Sequence, residues 1–175
     1  MSISFVLLFI LSACNREQTI QEYYVESQDK PNFLAIDIPA SLVNLGENAS
    51  AETKETLASI KKLNVLALKV DESNESEFQA EYQKVKKFLK NDRYNELIRM
   101  KHEGINIVIN FEGSDDAVDE FILFAADQSK GFALARVLGN KMEPEKMIKM
   151  AGDLKNIDQN TAGFEQLTEL FGEFQ

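Results

Sequence analysis

Hydrophobic and polar residues alternate with a period of two in the middle of the chain. Within residues 105–111, every odd position is Ile or Phe, whereas Asn106 and Asn110 stand at even positions. This alternation is typical of a β-strand with one buried face. Comparable runs lie at residues 94–101, 118–126 and 132–138, and turn-rich connections separate the four runs. The pattern predicts a four-stranded antiparallel meander.

Other segments have the period of a helix. An apolar stripe with spacings of four, three and four residues predicts an amphipathic helix, and its residues are Phe78, Tyr82, Val85 and Leu89. The helix is predicted to begin at Asn74 as the N-cap, with Glu77 as the reciprocal acid of the cap. Further helices are predicted near residues 51–63 and 144–154, and strands at residues 33–38 and 64–70. The element order is therefore β-α-β-α-β-β-β-β-α. This order predicts an α+β fold, a two-layer sandwich with a mainly antiparallel sheet and helices packed on one face.

The predicted sheet has a second apolar face. In the run at residues 118–126, Phe121 and Leu123 alternate with Ile122 and Phe124, so both faces of this strand are apolar. Helices on one side would leave the other face needing cover. The amphipathic C-terminal segment, residues 156–175, offers an apolar stripe for this role and is a possible interaction surface: Phe164, Leu167, Phe171 and Phe174. A protein partner, a second copy of the chain or an apolar ligand are the alternatives.

The N-terminus has the features of an export signal. Residues 3–11 form an apolar run that is too short for a membrane-spanning helix of about 20 residues but suits a signal peptide. The sequence that follows, Leu11-Ser12-Ala13-Cys14, resembles a bacterial lipobox, in which cleavage leaves the cysteine first and carrying lipid. We therefore expect residues 1–13 to be a lipoprotein signal peptide and Cys14 to be lipidated; a buried strand with an incidental cysteine is the alternative. Residues 14–32 are mostly polar and predict a tether, which leaves residues 33–155 as the folded domain.

The composition argues against nucleic-acid binding, an internal disulfide and the usual His-based metal sites. The chain has 29 Asp and Glu against 19 Lys and Arg, a formal charge of −10. We expect no nucleic-acid partner, because phosphate binding needs a surplus of basic residues on one face. A single Cys excludes an internal disulfide, and a single His excludes the usual His-based metal clusters.

The sequence offers little support for any catalytic residue. His102 is expected in a solvated hairpin turn. An acidic group around another hairpin is expected to serve solubility, with a weak calcium site as the alternative: Glu112, Asp115, Asp116, Asp119 and Glu120. The chain has no Gly-x-Ser-x-Gly elbow, phosphate-binding loop or dinucleotide motif. We therefore expect no catalytic residue, no metal and no cofactor, and a protein that is not an enzyme.

The order and spacing of several segments resemble a known family. Besides the lipobox, these are Phe33-Leu-Ala-Ile-Asp-Ile-Pro39, Leu63-Asn-Val-Leu-Ala-Leu68, Glu120-Phe-Ile-Leu-Phe-Ala125 and Ala135-Arg-Val-Leu-Gly139, before the helix that begins at Pro144. Over residues 33–154 the chain resembles the domain-of-unknown-function 4252 (DUF4252) family of Bacteroidota envelope lipoproteins. The resemblance implies a secreted, lipid-anchored α+β domain without an established activity. Only Cys14 is carried over as a functional residue.

Asn15 and Arg16 come after the lipidated position, and the lack of Asp there favours the outer membrane by resemblance to bacterial sorting rules.

Two functional hypotheses follow. The first hypothesis is a non-enzymatic envelope protein, anchored to the membrane by lipid, that binds another envelope protein or scaffolds an assembly. The alternative is a carrier of a small apolar ligand or lipid. An apolar cavity of about 300 Å³ or more would favour the carrier, whereas a filled core would argue against it.

Overall fold

Six strands and four α-helices follow one another in the part of the chain that the computed structural model describes, residues 18–43 and 49–153. The helices are α1 (Ile20–Ser27), α2 (Ala51–Ser59), α3 (Glu75–Phe88) and α4 (Pro144–Asp153). The strands are β1 (Phe33–Pro39), β2 (Ile60–Lys69), β3 (Asn95–His102), β4 (Ile105–Ser114), β5 (Ala117–Asp127) and β6 (Gly131–Met142). A short 3-10 helix, Ala40–Leu42, follows β1.

The strands form one sheet in the order β1-β2-β6-β5-β4-β3, and every neighbouring pair is antiparallel. Strands β3 to β6 are the predicted meander, joined by connections of two or three residues. Gly131 begins β6 with a φ of +128°, and a Cβ atom there would lie 2.1 Å from the carbonyl oxygen of Leu68 in β2. Only glycine fits so close an approach between two strands. The predicted α+β class with an antiparallel sheet is confirmed.

One face of the sheet, here named the α1/α3 face, packs against α1 and α3. Phe78 and Val85 of α3 are fully buried, and Leu89 is buried at the helix end. The ring of Phe78 lies 6.1 Å from that of Phe132 in β6, and Tyr82 lies 5.9 Å from Phe124 in β5. The predicted stripe of α3 is therefore confirmed as core.

Asn74 is the N-cap of α3, as predicted, but its side chain does not bond the helix N-terminus. Instead its Oδ1 accepts from the backbone N–H of Asp71 at 2.8 Å, and its Nδ2 donates to the carbonyl oxygen of Lys69 at 2.8 Å. These bonds join the start of α3 to the end of β2. A reciprocal capping box is formed elsewhere, at α1, by Thr19 and Glu22.

Helix α1 corrects the predicted tether. Residues 20–27 form a helix, and its Ile20, Tyr23 and Tyr24 are buried in the core. The Tyr24 hydroxyl donates to Asp37 Oδ1 of β1 at 2.6 Å. The tether prediction is therefore wrong for these residues, because a few apolar side chains at helical spacing outweigh a polar average. The folded domain therefore includes α1 and does not begin at Phe33.

Helices also lie on the other side of the sheet, here named the α2/α4 face. Met147 of α4 packs against a cluster that contains Phe111 and Phe121, and Leu57 of α2 faces the same side. The expectation of helices on one face only is thus corrected: α1 and α3 cover one face, and α2 and α4 cover one end of the other. Helix α2 ends at Ser59, earlier than predicted, because Ile60 begins β2 and pairs with Gly139 of β6.

Candidate functional site

An apolar groove lies on the α2/α4 face, between the sheet and the helices α2 and α4. Its volume is about 350 Å³. Strand residues that point to this face form the floor, because alternate side chains of a strand point to opposite faces. The floor residues are Ile38, Leu63, Val65, Leu97, Ile109, Phe121, Leu123, Ala135 and Val137.

The walls come from the two helices. Leu57 of α2 and Met147, Ile148 and Met150 of α4 line the groove. Helix α4 follows β6 after one residue, Glu143, whose carbonyl oxygen accepts from the Met147 N–H at 3.0 Å. Ser50 caps α2, with its Oγ accepting from the Thr53 N–H at 3.0 Å. An exposed ion pair between Glu52 and Lys149 connects the two helices.

The lining decides what the groove can do. All seventeen lining residues within the described part of the chain are apolar: the floor and wall residues named above, together with Ala40, Val43, Ile60 and Pro144. Such a lining supplies no acid, base or nucleophile to a bound molecule, which acid–base or covalent catalysis would need. It does supply a surface from which an apolar group displaces water. The described lining is therefore suited to contact with apolar surface and not to acid–base or covalent chemistry.

The groove is accessible at α4. Ile148 is 52% exposed, although it lies on the wall, whereas Phe121 and Ala135 on the floor are 6% and 7% exposed. An exposed isoleucine beside a buried apolar floor is the arrangement expected at the mouth of a binding site.

A family model described as "Domain of unknown function (DUF4252)" matches residues 23–150, which is most of the chain. The chain belongs to the DUF4252 family. No curated protein matches it, and no solved structure matches it. The matched range contains the six strands and the seventeen groove-lining residues that the structure describes, so these groove residues are part of the DUF4252 domain. The match also begins inside α1, which agrees with α1 as part of the domain.

The predicted functional residues of this DUF4252 chain lie outside the residues that the structure describes. They are Cys14 and the stripe of the C-terminal segment, Phe164, Leu167, Phe171 and Phe174. The predicted signal peptide, residues 1–13, also lies outside them. None of the helices within residues 18–43 and 49–153 is long and apolar enough to cross a membrane.

The weaker candidates are within the described DUF4252 domain. His102 ends β3 at a tight turn with its side chain 67% exposed, and its Nε2 lies 4.0 Å from Glu103 Oε1. The predicted acidic group is divided by ion pairs, because Glu112 pairs with Arg93 at 2.8 Å and Glu120 pairs with Arg136 at 2.5 Å. Across the described residues, no three His, Cys, Asp or Glu side chains are grouped as a metal site would need.

The groove itself was not predicted. The sequence signal that pointed toward it was the strand with two apolar faces, which indicated a second apolar surface. Its depth depends on where α2 ends and on how α4 packs beside it, and both are set by tertiary contacts. The periodicity of single segments does not contain that information.

Proposed function

We propose that this DUF4252 protein is a non-enzymatic, lipid-anchored envelope protein that carries a small apolar ligand or lipid chain in the groove of its α2/α4 face. The observation that supports the proposal is the groove of about 350 Å³, whose lining is apolar at every residue that the structure describes there. Ligand pockets commonly range from about 300 to 1,000 Å³ and are lined mainly by apolar side chains. A groove at the lower end of that range suits one hydrocarbon chain or one small apolar molecule.

The proposal also places the protein at the outer membrane, anchored through Cys14. Leu11-Ser12-Ala13-Cys14 fits a lipobox, and Cys14 is the one cysteine of the chain. A lipid on Cys14 would hold the domain at the membrane surface, and Asn15 after it favours the outer membrane. A carrier fixed there would be close to the acyl chains of the lipids that the groove suits.

Protein binding is the second candidate. Ile148 is 52% exposed on α4 at the mouth of the groove, where an apolar side chain of another envelope protein would bury it. Apolar anchors of this kind dominate many protein interfaces. In this case the domain would scaffold an assembly, and an isolated lipid would not saturate the groove.

A matched pair of alanine substitutions tests the carrier. Ala135 of β6 lies on the floor of the groove, whereas Ala125 of the neighbouring β5 lies on the same face outside it. Ala135→Leu adds bulk inside the groove, and Ala125→Leu adds the same bulk elsewhere. The probe is dansyl-undecanoic acid, whose fluorescence increases in an apolar environment.

We expect the parent chain to bind the probe saturably, Ala125→Leu to bind it equally, and Ala135→Leu to bind it at least about tenfold more weakly, which corresponds to about 1.4 kcal/mol. Melting curves of all three proteins report whether the fold is kept. The carrier is refuted if the parent does not bind, or if a folded Ala135→Leu variant binds as well as the parent. The second candidate then predicts cross-linking of Ile148 to a protein in native membranes.

A further inference from the structure

A polar cleft of about 1140 Å³ lies on the α1/α3 face, at the end of the sheet that α1 and α3 leave open. Helix α1, the loop before β3 and the ends of β2, β4, β5 and β6 contribute to its lining. The apolar groove lies on the opposite face of the sheet. The polar cleft is therefore a separate feature, and what it binds does not depend on the proposed carrier function.

A buried ion pair forms the floor of the polar cleft. Arg136 of β6 donates from Nε to Glu120 Oε1 of β5 at 2.5 Å, and each side chain is only 6% exposed. This bond uses one of the five N–H donors of the guanidinium group. Within the described residues, the terminal Nη1 and Nη2 of Arg136 have no hydrogen-bond partner. Their four N–H groups form a planar fork beside the cleft.

The terminal nitrogens of Arg136 are accessible from the polar cleft, since neither of them is a fully buried atom without a partner. A guanidinium group that is held from one side and opens into a cleft is a geometry suited to a planar anionic ligand. The end-on geometry of Nη1 and Nη2 matches the two oxygens of a carboxylate. Glu120 already holds the guanidinium by its side, which fixes the direction of the fork.

Tyr94 adds a donor to the same floor. It lines the polar cleft, and burial together with the nearby Glu120 carboxylate raises its pKa to about 12. Its hydroxyl therefore stays protonated at neutral pH and can donate to an acceptor on a ligand.

The charges around the floor restrict the ligand further. Among the described residues, five carboxylates and four cationic side chains line the polar cleft. Charges of both signs favour a ligand that itself carries both, because its ammonium group is attracted to the carboxylates and its carboxylate to the cationic side chains. Glu26 of α1 and Asp119 of β5 are carboxylates of the lining that do not belong to the floor pair.

We propose that the polar cleft binds a small zwitterionic molecule of the amino-acid or short-peptide class, whose carboxylate accepts from Nη1 and Nη2 of Arg136 and whose ammonium group faces the carboxylates of the wall. The proposal assigns a positioning role to Glu120 and a direct contact to Arg136 and Tyr94.

Three matched probes test the contributions of the ligand's carboxylate and ammonium groups one at a time. The dipeptide Ala-Ala carries both, its C-terminal amide lacks the carboxylate, and its N-acetyl form lacks the ammonium group. Each is titrated into the ¹⁵N-labelled full chain, and the Arg136 Nε–H resonance reports events at the floor. We expect Ala-Ala to shift this resonance saturably, and each blocked form to bind at least about tenfold more weakly. Equal binding of the amide would overturn the carboxylate contact, and the absence of a saturable shift would overturn the site.

Substitutions test the assignment to residues. Arg136→Lys keeps the charge but removes both the fork and the Nε–H reporter, so binding to the variants is followed by the backbone amide resonances of residues 136–139. We expect Arg136→Lys to bind Ala-Ala about tenfold more weakly. Arg99→Lys is the control, because Arg99 pairs with Glu96 on exposed β3, with side chains 60% and 44% exposed, and does not line the polar cleft. Tyr94→Phe removes only a hydroxyl, so it should weaken binding severalfold even if Arg136→Lys fails to fold. Unchanged binding in a folded Arg136→Lys variant, or in Tyr94→Phe, would overturn the assignment.

Discussion

Replacing Phe78 by alanine tests the packing of α3 on the sheet. Phe78 is fully buried, and it contacts a cluster of rings from α3, β5 and β6. Its ring centroid lies 5.9 Å from that of Tyr82, in a stacked arrangement, and 6.1 Å from that of Phe132. Alanine would remove all of these contacts and leave a cavity between helix and sheet.

The magnitude follows from the buried area. A buried phenylalanine removes roughly 150–250 Å² from water, which at about 25 cal/mol per Å² is worth about 4–6 kcal/mol. Alanine keeps part of this burial, and the cavity adds a cost of its own. We therefore expect the free energy of unfolding to fall by about 3–5 kcal/mol. For a chain of this size the melting temperature should fall by about 6–20 °C.

Urea unfolding followed by circular dichroism measures the change. Met100→Ala is the control, because Met100 is 49% exposed on the edge strand β3, and its loss should change stability by less than about 0.5 kcal/mol. A loss below about 1 kcal/mol for Phe78→Ala would mean that the side chain is not in the core. The placement of α3 on the sheet would then be refuted.

Cys14→Ser is expected to abolish labelling with palmitate and to release the protein from membranes, because the thiol carries the lipid in a lipobox; unchanged retention would contradict the anchor. Deleting residues 163–175 is expected to lower the melting temperature and to expose apolar surface to a dye, because an apolar stripe at helical spacing needs a surface to pack on; an unchanged melting curve would assign the stripe to a partner. The carrier requires that the stripe packs outside the groove, so a parent chain that binds the dansyl probe only after this deletion would refute the carrier. Burial opposes ionisation of Glu81, but hydrogen bonds from Lys84 and Lys30 hold its pKa below its usual value. Its contribution to stability is therefore present above its unfolded-state pKa and lost as the pH falls through the folded-state pKa, so acid should destabilise the parent more than Glu81→Gln in urea titrations.

The core of the fold could be predicted from periodicity, because the relevant signals are local. The stripe that begins at Phe78 marks one buried face, and short connections restrict the meander to antiparallel neighbours. In β4 the alternation marks the strand but not its more buried face, since Val108 and Asn110 on the face predicted to be polar are buried and the isoleucines opposite them are half-buried. Asn110 is satisfied there because its Nδ2 donates to the carbonyl oxygen of Leu89 at 2.9 Å, a long-range contact that periodicity does not contain. The position of β1 at the edge of the sheet, beside β2, could not be predicted from such local signals. It depends on pairs such as Phe33 with Leu68, which are far apart in sequence.

Helix α1 shows why a polar average misleads. Its segment reads as mostly polar, yet Tyr23 is 1% exposed and its ring lies 5.3 Å from that of Phe88 in α3. Burial raises the pKa of Tyr23, and the nearby Glu81 carboxylate raises it further, so the phenol is neutral in the core. Two tyrosines and one isoleucine suffice to fold a short helix onto the sheet, because tertiary contacts and not propensity supply its stability.

Strand β6 connects the two candidate sites. Ala135 and Val137 point to the apolar groove, and Arg136 between them points to the polar cleft, because successive side chains of a strand lie on opposite faces. The sheet can therefore hold an apolar site and a polar site back to back without placing a charge in the apolar one. Both sites lie where paired helices stop short of covering the sheet. The neighbours of β6 hold it on both sides, since it pairs with β2 and β5 along its length. A change of one side chain should thus alter its own face and leave the other site in place, so Ala135→Leu should spare Ala-Ala binding and Arg136→Lys should spare binding of the dansyl probe.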